Sequence, residues 1–268
     1  MADNKIEIPV AKDENNVEEQ FMALCEIIRL LRIHCPWDKK QTNESIAHLL
    51  IEESYETIDA IHKGDDEEFS GELGDILLHI IMHCIMAEER NAFDLIKVIT
   101  KIQHKLVFRH PHVFGDVEVR SEDDVMVNWE NLKKKEGKRS ALQGVPLNLP
   151  SLLRAERIQH KASRVGFDWN NKEDVWLKVE EELAEFKKEI TNGSSDKKTR
   201  EFGDLLFSLV NAARFEGNVP EEALQFTNEK FTRRFQYIEE KAESMGRKLT
   251  DMTLAEMDAI WDEAKGKE

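Results

Sequence analysis

Two acidic pairs stand close together in the second half of this chain. Glu182 and Glu185 are three residues apart in "EEELAEFKKEI", and Glu201 and Asp204 are three apart in "REFGDLLFSLV". On a helix, residues at i and i+3 share a face, so each pair projects together. The intervening "ITNGSSDKKT" reads as a connector long enough to fold the two helices antiparallel, which brings four carboxylates to one seam. Like charges held that close raise one another's pKa and push the helices apart. A divalent cation removes the conflict, and an all-oxygen donor set selects Mg2+ or Mn2+ over zinc, which takes His or Cys. Acidic pairs at this spacing are common on solvated helix faces. Here they abut apolar runs, "GDLLFSLV" and "GDILLHII", where a solvated face would carry polar neighbours. The glycine inside each Glu-x-Gly-Asp costs a helix about 1 kcal/mol against alanine, which predicts the close approach of another group.

The same pattern occurs earlier. "IEESYETIDAIHKGDDEEFSGELGDILL" at 51–78 aligns without a gap on "EEELAEFKKEITNGSSDKKTREFGDLLF" at 180–207. Glu53, Glu56, Glu72 and Asp75 thereby answer Glu182, Glu185, Glu201 and Asp204 at a constant offset of 129 residues. "CPWDKKQT" precedes the first block as "GFDWNNKE" precedes the second, "HKLVFRHPHVF" answers "EKFTRRFQYIE", and Trp129 answers Trp261. The period is far longer than a solenoid repeat, so the chain is read as a duplicated domain. Apolar residues recur at helical spacing in "FMALCEIIRLLRI" and "DVWLKVEEELAEFKKEI", and β-branched alternation is nearly absent, which predicts an all-α fold. The expected organisation is a disordered polar tail at 1–16, a first repeat at 17–133, a linker at 134–150 marked by Gly144, Pro146 and Pro150, and a second repeat at 151–268.

Composition narrows the partners. The 268 residues carry a net charge of −16, which argues against a nucleic-acid duplex or an anionic membrane surface. Three cysteines without framework spacing point to a reducing compartment. No signal peptide and no run of membrane-spanning length is evident, so the expected location is cytoplasmic.

E-x-x-E, a 15-residue gap and E-x-x-D, set among "CPWDKKQT", "RHPHVF" and "KFTRRF", resembles the MazG nucleoside triphosphate pyrophosphohydrolases across about residues 20–265. The resemblance implies an all-α bundle in each repeat, a homodimer, and Mg2+-dependent hydrolysis of NTPs and dNTPs to the monophosphate and pyrophosphate with broad base tolerance. It places metal ligands on Glu182, Glu185, Glu201 and Asp204. It places nucleotide contacts on Lys178, Val179, Glu180, Glu181 and Glu182, on Lys197, Lys198, Thr199 and Arg200, on Asp204, on Lys230, Phe231, Thr232, Arg233 and Arg234, and on Trp261.

The carboxylates do not separate the two repeats, but a triphosphate does. It carries about four negative charges and needs cations beyond its metal in so acidic a protein. Lys178, Lys197, Arg200, Lys230, Arg233 and Arg234 stand in the second repeat where the first has Leu49, Glu68, Gly71, Lys105, Phe108 and Arg109. The second repeat is therefore expected to be catalytic, and the first a weakened copy for assembly or regulation. Lys230, Arg233 and Arg234 are expected to stabilise the leaving group, Glu181 is a candidate base for the attacking water, and Trp261 could stack on a base or anchor its helix. His79 and His83, at i and i+4, could assist a metal, although buried, hydrogen-bonded histidines are the commoner case. Rival functions are a single-substrate relative (dUTP, dCTP or phosphoribosyl-ATP) and a non-catalytic helical scaffold that binds metal or nucleotide. A di-iron carboxylate bundle is disfavoured because neither helix pair carries E-x-x-H.

Overall fold

A computed structural model describes residues 6–121, 125 and 140–267 of the chain, all helix, turn or irregular, with no strand among them. The contact pattern divides the chain into two compact units, Met1–Val119 and Arg120–Glu268. The break lies ahead of the expected linker at 134–150, which is described only from Ser140 onward, where the backbone runs in turns. Trp129 lies outside the described residues.

The first unit is built around one long helix. Helix α1 (Val17–His34) starts where the Asn16 side chain accepts from the Glu18 and Glu19 amides. Ahead of it, in the tail expected to be disordered, Ile6–Pro9 lie along Ile27, Leu30 and Leu31. Helix α2 (Leu49–Lys63) ends on Gly64 at φ 68°, a left-handed position that glycine adopts without a Cβ penalty. Asp65 then caps α3 (Asp66–Glu89) by accepting from Glu67 and Glu68, so only two residues turn the chain between the two helices. Ile81, Met82, Ile85 and Met86 of α3 pack against Ile28 and Ile46 to form the core. Helix α4 (Leu95–Arg109) stops ahead of Pro111, which opens the short α5 (Pro111–Phe114), as a residue without an amide proton requires. One expectation needs correcting. By length and composition, α3 is apolar enough to cross a membrane. That apolarity has another use here, since it supplies the core of the unit.

The second unit repeats the hairpin. Helix α6 (Ser151–Ser163) leads to a turn at Gly166, φ 86°. Helices α7 (Lys172–Asn192) and α8 (Ser195–Phe215) follow, capped by Asn171 and Ser194. The expected ten-residue connector is therefore mostly helix, and only Gly193 and Ser194 lie between. A Cβ on Gly193 would come to 2.7 Å from the Glu189 carbonyl oxygen, which is why the tight turn carries glycine. Val175, Val179, Leu205 and Ala212 fill the α7–α8 seam. Helices α9 (Pro220–Ser244) and α10 (Leu254–Lys265) pair around a separate cluster of Ile238, Ala242, Met252 and Ile260. A Thr253–Glu256 capping box starts α10.

Candidate active site

The α7–α8 hairpin puts carboxylates from both helices together. Ligand oxygens of Glu182, Glu185 and Glu201 all lie within 4.8 Å of one another. Glu182 is 7 % exposed, Glu185 is exposed, and Glu201 is between the two. Burial first, then Glu185, Asp204, Glu182 and Glu189, push the Glu201 carboxyl above its ordinary range. Asp204 is close enough to be felt in that shift but stands outside the trio. Three hard oxygen donors brought together from two helices fit a divalent cation.

A cation is already bound to the edge of this cluster. Lys178, one turn before Glu182, sets its Nζ 2.7 Å from Glu182 and 2.9 Å from Glu181. Hydrogen bonds to Glu182 and then Glu181 raise its pKa well above the usual lysine range, so it is a permanent positive charge. Beside Lys178, Glu182 and Asp204 opens a cavity of about 630 Å3, entirely within this unit. Aromatic and polar side chains line its remainder, among them Gln159, Trp169, Phe207, Asn211 and Arg214. None of these five was singled out from the sequence. Asn211 and Arg214, at i and i+3 directly after the "GDLLFSLV" run, were the available signal.

Other expected contacts are placed differently. Val179 is buried in the α7–α8 core, which leaves Glu180 and Glu181 on the exposed side of that helix. Lys197, Thr199 and Arg200 are exposed in the first turns of α8, with Lys198 half-buried between them; Thr199 Oγ1 donates back to the Ser195 carbonyl. Lys230, Phe231, Thr232, Arg233 and Arg234 ride on α9. There Phe231 packs 5.1 Å from Trp261, and the Arg234 guanidinium lies 5.3 Å from the Trp261 ring centre. Trp261 is half-buried against the α9–α10 core. The structure thus joins Lys178 to the carboxylates, and joins Arg234, Phe231 and Trp261 to one another.

The first unit carries a second trio, Glu53, Glu56 and Glu72, with oxygens again within 4.8 Å and Asp75 outside it. Burial, then Glu56, Asp75 and Glu53, push the Glu72 carboxyl up, and its buried Oε2 has no hydrogen-bond partner among the described residues. An orphaned oxygen inside a carboxylate cluster is what a cation ligand looks like before its ion. Here Glu53 faces a histidine: His79 Nε2 is 3.7 Å from Glu53 Oε1. His79 is buried, and its Nδ1 has no partner among the described residues. His83 is tied instead to Asn43, at 2.8 Å from its Nδ1, and burial followed by His79 lowers its pKa. The glycines of both Glu-x-Gly-Asp motifs depart from expectation. Among the described residues, a Cβ at Gly74 or Gly203 would meet no atom within 4 Å, so the anticipated close approach is not made there.

An all-α hairpin that brings a carboxylate trio together from two helices offers a site for a divalent cation, and the comparisons with known proteins place such a hairpin in a class of metal-dependent hydrolases. The family model of the MazG nucleotide pyrophosphohydrolase domain matches residues 41–114, which span the first trio. A nucleoside triphosphate pyrophosphohydrolase of Escherichia coli (strain K12) is 39 % identical over 94 % of this chain and 98 % of its own length. The nucleoside triphosphate pyrophosphohydrolase/pyrophosphatase MazG of Thermotoga maritima is 43 % identical over 92 % of this chain and 96 % of its own. The uncharacterized protein YabN of Bacillus subtilis (strain 168) is 46 % identical over 97 % of this chain, which spans 55 % of that relative. The chain belongs to the MazG family.

Proposed function

We propose that this protein is a Mg2+-dependent nucleoside triphosphate pyrophosphohydrolase of broad base tolerance, working in nucleotide-pool cleaning in the cytoplasm as a homodimer, with the α7–α8 hairpin as its catalytic site. The observation that carries this reading is the juxtaposition in one unit of a carboxylate trio, a permanently charged Lys178 and a 630 Å3 cavity. In the first unit, Leu49 stands at the place of Lys178. Glu182, Glu185, Glu201 and Asp204 would hold Mg2+, or Mn2+ in its place. The bound ion supplies charge neutralisation on the phosphates and a lowered pKa for the attacking water.

Every other part of the chemistry falls to the chain's own side chains. Lys178 donates to a phosphate oxygen and shields the triphosphate from the acidic surroundings. Glu181, paired with Lys178 on the exposed side of α7, takes the proton of the attacking water. A new bond forms from that water oxygen to the α-phosphorus, and the bond from the α-phosphorus to the bridging oxygen breaks. Pyrophosphate leaves, its charge offset by Lys230, Arg233 and Arg234, with Lys197 and Arg200 supporting the phosphates from the start of α8. The nucleoside monophosphate remains. The first unit keeps the family pattern and its own trio, and serves as a second, weakened copy in assembly or regulation. The homodimer is supported by an uncovered apolar face on α8, where Phe202, Leu206 and Leu209 are exposed around the bare Gly203.

Incubation of the full chain with Mg2+ and each of the eight common NTPs and dNTPs, with products read by phosphorus NMR, tests the proposal. Monophosphate and pyrophosphate are expected from most of them. Release of a diphosphate and orthophosphate would contradict the reaction, and turnover of one substrate alone would replace the broad reading with a narrow one. Nucleotide binding without turnover would leave the scaffold reading.

A further inference from the structure

We infer that the two carboxylate trios take divalent metal under different conditions: the first in the free protein, the second only when a nucleotide's phosphate has drawn Lys178 off Glu182. The part concerning the second unit deepens the nucleotide reading above and rests on it; the part concerning the first stands without it.

In the second unit one of the metal ligands is already paired. Lys178 Nζ lies 2.7 Å from Glu182 Oε1 and 2.9 Å from Glu181 Oε1. Glu182 is buried, so water screens its charge poorly. A divalent ion among Glu182, Glu185 and Glu201 must displace this ammonium or sit beside it, and either way one positive charge opposes the other. As long as Lys178 stays on Glu182, the trio holds metal weakly. The lysine has another place to go, because it lines the same cavity as Glu182 and Asp204. A phosphate arriving there competes with Glu182 for the ammonium through charge-assisted bonds of its own. Once Lys178 turns to phosphate, Glu182 is a buried carboxylate without its counter-ion, and a divalent cation restores the balance. Metal and nucleotide then raise each other's affinity by the same factor, as linkage requires.

The first unit has no such competitor at this position. Leu49 stands at the place of Lys178 and brings no charge to Glu53. Glu72 Oε2 is buried without a hydrogen-bond partner among the described residues. A second observation, independent of the acids, points the same way. His79 is 7 % exposed and turns Nε2 toward Glu53 Oε1 at 3.7 Å, too long for a hydrogen bond, and its Nδ1 has no partner among the described residues. His83, one turn on, is by contrast hydrogen-bonded to Asn43. A buried imidazole aimed at a carboxylate from behind is the usual support of a metal-ligating side chain, which it holds in orientation. A cation among Glu53, Glu56 and Glu72 supplies the missing partner of Glu72 and relieves the repulsion of three acids, and no lysine has to leave Glu53 first.

Manganese is the probe, because free Mn2+ gives a sharp EPR signal that is lost on binding. The full chain, stripped with EDTA and dialysed, is titrated with Mn2+ alone. The native protein should bind one ion tightly; Glu72→Gln should lose that ion and Glu201→Gln should keep it. Lys178→Leu should take a second ion without nucleotide, at a Kd at least about tenfold below that of the second unit in the native protein. Saturating AMP, whose single phosphate holds Mn2+ only weakly, should add the second ion to the native chain and none to Glu201→Gln. Two ions of equal affinity in the free native protein, no ion at all, or a single ion removed by Glu201→Gln in place of Glu72→Gln would overturn the inference, whether or not Lys178→Leu folds. A folded Lys178→Leu that still takes one ion, or AMP that binds without recruiting the second, would remove the lysine from the account. The metal-only titrations separate this failure from that of the proposed activity. If AMP does not bind and no triphosphate is turned over, yet those counts hold, the competition at Glu182 stands and the nucleotide reading falls. If turnover is intact and the free native protein takes two ions alike, the inference alone falls.

Discussion

The two acidic hairpins share a skeleton and differ in what answers the first carboxylate. In the second unit Glu182 is bonded by Lys178 from one turn back on its own helix. In the first unit, Leu49 stands at that position and Glu53 is faced across the seam by His79, whose counterpart is Ser208. The lysine brings a permanent charge to the cluster edge. The histidine brings a buried ring to the seam. Ser208 turns its hydroxyl to the Leu205 carbonyl and leaves the cavity side open. Both copies keep the carboxylate cluster, and the second adds a lysine at its edge, which under the proposed function would divide the labour between them.

Removing divalent metal is the harshest challenge to both clusters. Chelation with EDTA should bring nucleotide turnover to background, and Mg2+ should restore it; turnover that persists in EDTA would remove the metal from the account. Next in size, Lys178→Leu rebuilds the first unit's arrangement in the second. It should raise the KM for ATP by about tenfold, consistent with loss of one charge-assisted bond to a phosphate. An unchanged KM would show that Lys178 serves only Glu182 and Glu181. His79→Ser makes the reverse exchange and should cost the first unit about 2 kcal/mol in urea unfolding, through the void and the lost partner of Glu53, with turnover unaffected. A fall in turnover without loss of stability would instead give His79 a part in the chemistry.

The smallest effect is on pH dependence. Both Glu72 and Glu201 hold their protons above the ordinary carboxylate range because of burial and neighbouring acids. A carboxyl whose folded pKa is raised binds its proton more tightly in the native state, so ionisation opposes folding. In EDTA, the melting temperature should fall as pH rises from the ordinary carboxylate value of about 4.3 through the raised folded values. Saturating Mg2+ should flatten or reverse that slope. Glu72→Gln and Glu201→Gln should each remove part of it. Identical slopes with and without metal would mean that no cation sits among these acids.

Much of this was legible beforehand, and the misses have physical causes. The gapless alignment of two acidic blocks on apolar runs gave the duplication, the all-α class and the antiparallel hairpins. The hairpin length was misread because "ITNGSSDKKT" is polar and contains glycine. Polar residues also open helices, and Ser194 does so here by capping α8. Residues three apart were expected to act together; Glu182 and Glu185 both join the trio, whereas Asp204 stands outside the trio that Glu201 joins. Helical spacing fixes a face, while side-chain reach depends on the opposite helix. The cavity was invisible because its polar groups come from three separate stretches, α6, the turn around Asp168 and the far half of α8. Only folding brings Gln159 to the Phe207 carbonyl. Gly74 and Gly203 were expected to meet a close neighbour and meet none among the described residues, and around Gly203 that leaves part of the exposed apolar face of α8.

The division of labour is tested most directly by paired variants of the intact protein. ATP turnover with saturating Mg2+ is to be compared between Glu72→Gln and Glu201→Gln, with thermal unfolding confirming that both fold. The account predicts a loss of about a hundredfold or more for Glu201→Gln and less than about threefold for Glu72→Gln. The opposite pattern would place the chemistry in the first unit and overturn the assignment of catalysis to the hairpin that carries Lys178.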